Sequence, residues 1–316
     1  MSLKKLTFSA MLLALVMQSC EEEYIPNTLE SDQQYVVEGF IEAGEGSLPA
    51  YVFLTRSIPF ISTISPDIFN TLFVRDAEIT VSDGENLVRL TELCLGDLPP
   101  EFREQVGNLL GIDADSTNTN ICAYVDIFNQ LIRAEGRKYD LVVKVEGKEL
   151  KATTTIPRFV PLTNFKWMDP PGEPSDTLAQ LLVTINDPPN EKNFYRYMTA
   201  TQGQRLIPSP FNSSVDDAIF DGKEFEFPLA KAENLRRRQQ QDPNAFGLYR
   251  RDDTVTIKWM NIDEYHFKFW RTRDRAASSG GSPFSSFVRI AGNVDGALGI
   301  WGGYAVGVYT IYLPPK

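Results

Sequence analysis

The sequence predicts a mainly β protein: an immunoglobulin-like β-sandwich over residues 35–157, then a second β-rich domain, sandwich or half-barrel, over residues 158–316 with two helical insertions. Three observations carry this. Short stretches alternate apolar and polar residues with a period of two, the pattern of a strand that buries one face. Several of these stretches are joined by compact runs of turn-forming residues. Five prolines, Pro157, Pro161, Pro170, Pro171 and Pro174, separate two strand-rich regions, a composition suited to a domain boundary.

In the first region, Tyr35 to Ile41 is rich in β-branched and aromatic residues and turns through Gly44-Glu45-Gly46 into Tyr51 to Leu54, a strand pair. Phe73 to Val81 alternates as a strand, Ser82-Asp83-Gly84-Glu85 forms a turn, and Leu87 to Leu90 returns. Tyr139, Leu141, Val143 and Val145 share one face of a strand that turns through Glu146-Gly147-Lys148 into Glu149 to Ile156. A Tyr opening a late strand is where sandwich folds place a hydroxyl that bonds back to the backbone. Pro99 to Asn108 reads as a short helix and Asp113 to Asn120 as a polar loop.

The second region offers strands at Leu181 to Ile185, Phe194 to Thr201, Lys223 to Phe227, Thr254 to Met260, Phe287 to Ile290 and Tyr304 to Leu313. Its helices are expected near 230–241, stopped by Asp242-Pro243, and near 262–277. On the latter, Ile262, His266, Phe269 and Arg273 form one stripe, with Tyr265 and Trp270 beside it.

Residues 1–19 have the make-up of an export signal. Lys4 and Lys5 precede an apolar run from Leu6 to Met17, which is too short to span a bilayer. Ser19 suits a cleavage site, and Cys20 directly after it suits a diacylglycerol acceptor, so Cys20 is expected to anchor the chain to a membrane. Ordinary secretion with a spare thiol at Cys20 is the alternative. Residues 20–34 read as a flexible acidic tether that reaches about 45 Å at roughly 3.3 Å per residue.

Removing residues 1–19 takes away two of 31 basic residues and none of 42 acidic ones, so the charge goes from -11 to -13. Such a surface repels nucleic acid and anionic lipid headgroups, and attachment falls to acyl chains. With Cys20 lipidated, Cys94 and Cys122 remain, and in an oxidising compartment they are expected to form a disulfide, with two free thiols as the alternative.

No catalytic, metal or cofactor motif is found. A Ser-His-acid triad would have to use His266, the one histidine, and its apolar neighbours suit a satisfied core residue. Asp113-Ala114-Asp115-Ser116-Thr117 begins like a calcium loop but lacks the turn glycine and the bidentate acid. Paired carboxylates for glycoside hydrolysis are unspecific among 42 acids. Trp167, Trp259, Trp270 and Trp301 offer flat faces for sugars or, as the commoner use, fill cores. Arg236-Arg237-Arg238 reads as a solvated helix face. Three Pro-Phe pairs place Phe60, Phe211 and Phe284 in loops, where each either caps its own core or contributes to a docking patch for a protein partner.

Several stretches together resemble a known lipoprotein family, domain of unknown function 4249: Cys20 with its acidic followers, Tyr35 to Phe40, Val52 to Ser57, Asp76 to Val81, Ala152 to Pro157 and Gly292 to Tyr304. Their order along the chain carries the resemblance, which covers nearly all of it. It implies an outer-membrane lipoprotein, often encoded beside a TonB-dependent transporter, and no catalytic residues to transfer. Glu21, Glu22 and Glu23 stand where such lipoproteins carry a surface-export signal. The expected function is therefore that of an accessory, binding subunit of a TonB-dependent transporter at the cell surface. A free-standing binder of a glycan or other small ligand is the alternative, a peptide is a further possible ligand, and a carboxylate-dependent hydrolase comes third. The Gly292 to Gly303 run is expected to permit turns and close strand approach near Trp301.

Overall fold

A long central sheet organises the computed structural model, which describes residues 33–58, 71–99, 103, 121–209, 214–233, 245–279 and 288–316. The elements below lie in the unit formed by Gln34–Ser57 and Ile64–Lys316. In chain order the strands are β1 (Tyr35–Gly44), β2 (Tyr51–Arg56), β3 (Glu78–Ser82), β4 (Leu87–Arg89), β5 (Thr91–Cys94), β6 (Cys122–Val125), β7 (Lys138–Val145) and β8 (Lys148–Thr155). They continue with β9 (Leu162–Met168), β10 (Leu178–Asn186), β11 (Phe194–Thr201), β12 (Ile207–Pro208), β13 (Val215–Asp216), β14 (Glu224–Pro228), β15 (Tyr249–Arg250), β16 (Thr254–Ile262) and β17 (Leu298–Tyr312). Helix α1 spans Glu264–Ser279.

The nine-stranded sheet runs β12-β11-β16-β17-β1-β2-β6-β5, with β13 also paired to β11. Two four-stranded sheets accompany it, β4-β3-β7-β8 and one built around β10 with β9, β14 and β15. The protein is thus mainly β and sandwich-like. Strand pairs among the described residues are antiparallel except β1 with β17, where Val36 faces Leu298 and Gly44 faces Val306 in parallel register.

Alternation decides which core each side chain enters. On β1, Tyr35, Val37, Ile41 and Ala43 join a first core with Ile79, Val81, Leu141, Val143 and Leu150 of the β4-β3-β7-β8 sheet, while Phe40 points the other way. On β16, Val255, Ile257 and Trp259 enter a second core with Leu181, Val183 and Ile185 of β10. Met260, Ile262, Phe40, Ile300 and Tyr304 form a third cluster beneath Phe267 and Phe269 of α1. This is the period of two expected of strands buried on both faces.

Core membership changes at the proline-rich stretch: the first core takes residues up to Ile156 and then none before β17, whereas the second takes residues only from Val160 onward. The hydrogen-bonded sheet does not stop there. β17 returns from the C-terminal half to lie between β1 and β16, and puts Trp301 and Ala305 into the first core. A boundary at residue 157 therefore separates cores but not sheets.

Several local expectations change. The proline-rich stretch contains β9, whose Phe165 and Trp167 pack on the second core. Phe73 to Val81 is not one strand: Asp76 has φ 59°, and its N–H donates to Glu92 at 2.7 Å, so regular pairing begins only at Glu78. Ala230 to Glu233 is irregular rather than helical, and residues 234–241 lie outside the described residues. Val288 to Ile290 is also irregular, whereas the helix expected near 262–277 is α1.

The expected disulfide joins Cys94 and Cys122, which face each other on β5 and β6 with Cα atoms 4.0 Å apart. Tyr139 forms the expected corner, accepting from the Ala134 N–H at 2.8 Å and donating to the Ile132 carbonyl at 3.0 Å. The glycines of the Gly292 to Gly303 run do permit close approach, since a Cβ on Gly299 would lie 1.9 Å from the Val37 carbonyl oxygen and one on Gly303 2.7 Å from that of Thr155.

Candidate functional site

An open groove of about 1010 Å³ lies beside the second core. One wall comes from β14 and the turn before it. Phe225 and Phe227 sit two residues apart on a strand and so project to the same side. Their rings stack with centroids 6.0 Å apart, and Phe220 stacks on Phe225 at 5.1 Å with planes only 7° apart. Tyr195 and Trp259, stacked at 5.2 Å, link this stack to the sheet through Phe220 and Phe227. Trp259 is almost wholly buried and serves as the floor.

The opposite wall is α1. Phe267, Arg271, Asp274, Arg275 and Ser278 line the groove, and their spacing of three, four and seven positions places them on one helix face. Phe267 is fixed by stacking on Phe194 at 4.7 Å, and the Arg271 guanidinium stands 5.5 Å over the Phe267 ring. Arg271 also approaches Asp216 at 3.9 Å, a distance that leaves it free to reorient toward a ligand. Val215 and Ile219 are exposed apolar side chains at the rim. The groove therefore combines an apolar wall, which supplies most of the contact area, with charges of both signs that can orient a ligand.

Below the wall, the Tyr195 hydroxyl donates to Asp187. Asp187, Asp217 and Asp221 bring carboxylate oxygens within 4.8 Å of one another. Burial raises the Asp187 pKa, opposed by the Tyr195 and Gly222 donors and reinforced by the other two acids. Oxygen ligands at this spacing suit a hard cation, yet the acids already have backbone partners: Gly222 donates to Asp187 at 3.2 Å, Asn193 to Asp217 at 2.6 Å and Asn190 to Asp221 at 3.2 Å. The cluster thus serves to brace the loops around residues 187–193 and 217–222.

His266 is a core residue, as expected, but not a satisfied one. Its ring is fully buried, stacks on Tyr304 at 4.4 Å and Phe40 at 5.5 Å, and among the described residues neither ring nitrogen has a hydrogen-bond partner. The ring fits only because position 302 is glycine, where a Cβ would lie 1.4 Å from a ring carbon. Of the four tryptophans, Trp259 and Trp301 are buried and Trp167 and Trp270 half-buried. The Trp270 indole donates to the Tyr304 hydroxyl at 3.1 Å, and the Arg196 guanidinium lies 3.8 Å over its ring.

Cys20, Glu21, Glu22, Glu23, Phe60, Phe211 and Phe284 all lie outside the described residues, as does Asp113 to Thr117. The residues that form the groove were read from the sequence only as strand and helix positions. The signal that marks them is alternation in Phe225-Glu226-Phe227, which puts two rings on a strand face that carries no other core residue.

The architecture and the groove define a mainly β, sandwich-like protein with an aromatic cleft between a strand edge and a helix. By sequence the chain belongs to the family described as Domain of unknown function (DUF4249), which matches residues 21–310. Neither a curated protein nor a solved structure matches it.

Proposed function

We propose that this chain is an outer-membrane lipoprotein, anchored through Cys20 and carried to the cell surface by Glu21, Glu22 and Glu23, that serves as a binding subunit of a TonB-dependent nutrient transporter. The observation that supports binding is the groove. Its volume of about 1010 Å³ is at the upper end of small-ligand sites, which span roughly 300 to 1,000 Å³. Its rings pack face to face on one another, so they present mainly edges, and Arg271, Asp274 and Arg275 add donors and acceptors along the facing wall. Such a lining suits a glycan or a peptide, in which polar groups recur along a partly apolar body.

A mild-detergent pull-down of the tagged protein from its native outer membrane, with Cys20→Ala as control, tests the partner. Near-stoichiometric recovery of a TonB-dependent transporter is the expected result. Recovery of the lipoprotein alone, together with ligand quenching of Trp259 fluorescence, would move the reading to a free-standing binder. No transporter and no ligand that perturbs Trp259 would remove both.

A further inference from the structure

Strand β14 lies at the edge of its sheet. Among the described residues it pairs with β10 alone, and four of its five residues are exposed, so both of its faces meet solvent. The register decides which backbone groups point outward. Leu229 donates its N–H to the Leu181 carbonyl at 2.9 Å, and the Lys223 carbonyl accepts from Asp187 at 3.1 Å, so the odd-numbered positions turn their polar groups toward β10. Alternate residues of an antiparallel pair turn theirs to opposite sides. The N–H and C=O of Glu224 and Glu226, and the C=O of Pro228, therefore point away from the sheet. Pro228 has no N–H to leave exposed there, which suits an edge position.

The groove runs along this strand. Its lining passes from Phe220 through Phe225, Phe227 and Pro228 to Ala230, and β14 alone offers about 17 Å at roughly 3.4 Å per residue. Side chains sort by position: Phe225 and Phe227 face the groove, while Glu224 and Glu226 project to the opposite side and are exposed. Glu224 has no ion pair among the described residues, and Glu226 has Lys166 at 2.8 Å, an exposed pair that exchanges at little cost. Stacking of Phe220, Phe225 and Phe227 uses up ring faces. What is left for a ligand is mainly ring edges, a poor platform for a sugar but a good surface for alkyl side chains.

An extended peptide meets all of these features. When a peptide adds to a sheet edge, its main chain supplies hydrogen bonds and its alternate side chains enter pockets. The residues that fall beside Glu224 and Glu226 are then basic, because like charges placed opposite each other destabilise a strand pair. Those between them enter the groove and are apolar. The same rule disfavours β14 of a second copy, which would set Glu against Glu. A net charge of -11 favours the approach of a basic peptide and opposes that of an acidic one.

We propose that β14 takes, as an added strand, an extended peptide in which basic and apolar residues alternate; this names the ligand of the groove and rests on reading the groove as a binding site. Fluorescence polarisation with the Cys20→Ala chain, disulfide intact, tests it. The probe is a labelled, end-capped octapeptide of alternating Lys and Val. Comparison peptides hold the same residues in two blocks, or alternate Glu and Val. Two further versions carry N-methyl groups on the Lys amides or on the Val amides, so that charge and composition match while opposite edges of the peptide lose their donors. The alternating Lys-Val peptide is expected to bind saturably, and the block and Glu-Val peptides at least tenfold more weakly. One methylated version should lose at least tenfold and the other should not. Phe225→Ala should weaken binding at least tenfold. Glu224→Lys with Glu226→Lys, at an unchanged thermal midpoint, should reverse the preference to Glu-Val; the chain as a whole stays negative, so such a reversal comes from the strand itself. No binding of the Lys-Val peptide, equal loss from both methylated versions, no effect of Phe225→Ala or an unchanged preference in the double variant would overturn the proposal. If no peptide binds but a glycan array returns a ligand whose binding Phe225→Ala abolishes, the groove reading stands and the added strand falls. If neither binds, both fall.

Discussion

Glu42 on β1 and Lys258 on β16 are separated by 216 positions in sequence and by β17 in the sheet, yet the Lys258 ammonium donates to both Glu42 oxygens at 2.7 Å. Their side chains are only 4% and 7% exposed. Apart from Lys258, Glu42 accepts the Leu48 N–H at 2.8 Å. Lys258→Met therefore leaves a buried carboxylate with one neutral donor, and Glu42→Gln leaves a buried ammonium beside a neutral amide. Removing one member of a buried pair costs about 3 to 5 kcal/mol, because the remaining charge stays out of water. The double variant has no orphaned charge and keeps the Leu48 bond, so it is expected within about 2 kcal/mol of the parent and shows a coupling of at least ~2 kcal/mol. Urea unfolding of the Cys20→Ala chain, disulfide intact, measures all four proteins. An unchanged m-value would confirm that stability and not the unfolded state has moved. If Lys258→Met costs less than about 1 kcal/mol, or the two single effects simply add, then the charges are solvated and the reasoning fails.

Three further outcomes are expected. Burial, assisted by Arg196 and opposed by Asp263, pushes the His266 pKa down to about 4. The unfolded chain, with a His pKa near 6.5, therefore takes up the proton first, so stability is complete above that pH and falls by roughly 3 kcal/mol as pH drops to 4. Urea midpoints between pH 7.5 and 4 should show this slope in the parent and lose it in His266→Phe; an identical slope in both would refute the assignment. Replacing Cys94 and Cys122 together by Ala removes a cross-link spanning 28 positions and is expected to cost about 3 to 4 kcal/mol, read as a lower thermal midpoint equal to that of the reduced parent. Tyr139→Phe deletes the corner hydroxyl and strands the Ala134 N–H, at a cost of about 1 to 3 kcal/mol. Hydrogen exchange should then quicken between residues 126 and 137 before it does in β7, and uniform acceleration would argue against a local role.

Much of the fold was legible because it follows from neighbours in sequence. The alternation of Tyr139, Leu141, Val143 and Val145 places them in the first core. Of the stripe expected on the helix, His266 and Phe269 are buried, whereas Ile262 ends β16 and Arg273 is exposed. β9 was not legible, because the prolines that frame it at 161 and 170 dominate a stretch whose Phe165 and Trp167 are its only large apolar alternations. The groove was illegible for a different reason. Its walls come from Phe220 to Phe227 and from Phe267 to Ser278; the pairing of β14 with β10, the packing of Phe227 on Trp259 of β16 and α1 following the end of β16 bring them together. The ties between the β3–β4 and β6–β7 loops were hidden as well, since Asp83 and Asp126 look like ordinary turn residues until their carboxylates are seen to bind N–H groups up to 49 positions away.

β17 explains why the two sandwiches cannot be treated as independent. It is fifteen residues long, about 50 Å at roughly 3.3 Å per residue. Its first half sends Trp301 and Ala305 into the first core, and its second half packs Tyr309 and Ile311 against the core that floors the groove. The Trp301 indole donates to the Tyr139 carbonyl at 3.2 Å, so this strand of the central sheet also reaches the residue whose hydroxyl holds the loop at Ile132 and Ala134. The parallel pairing with β1 closes only after some 250 intervening residues are in place, a contact of high sequence separation that makes assembly slow and cooperative. Perturbing the shared strand should therefore disturb both cores, whereas a substitution at Phe225, on the groove wall, should leave the first core intact.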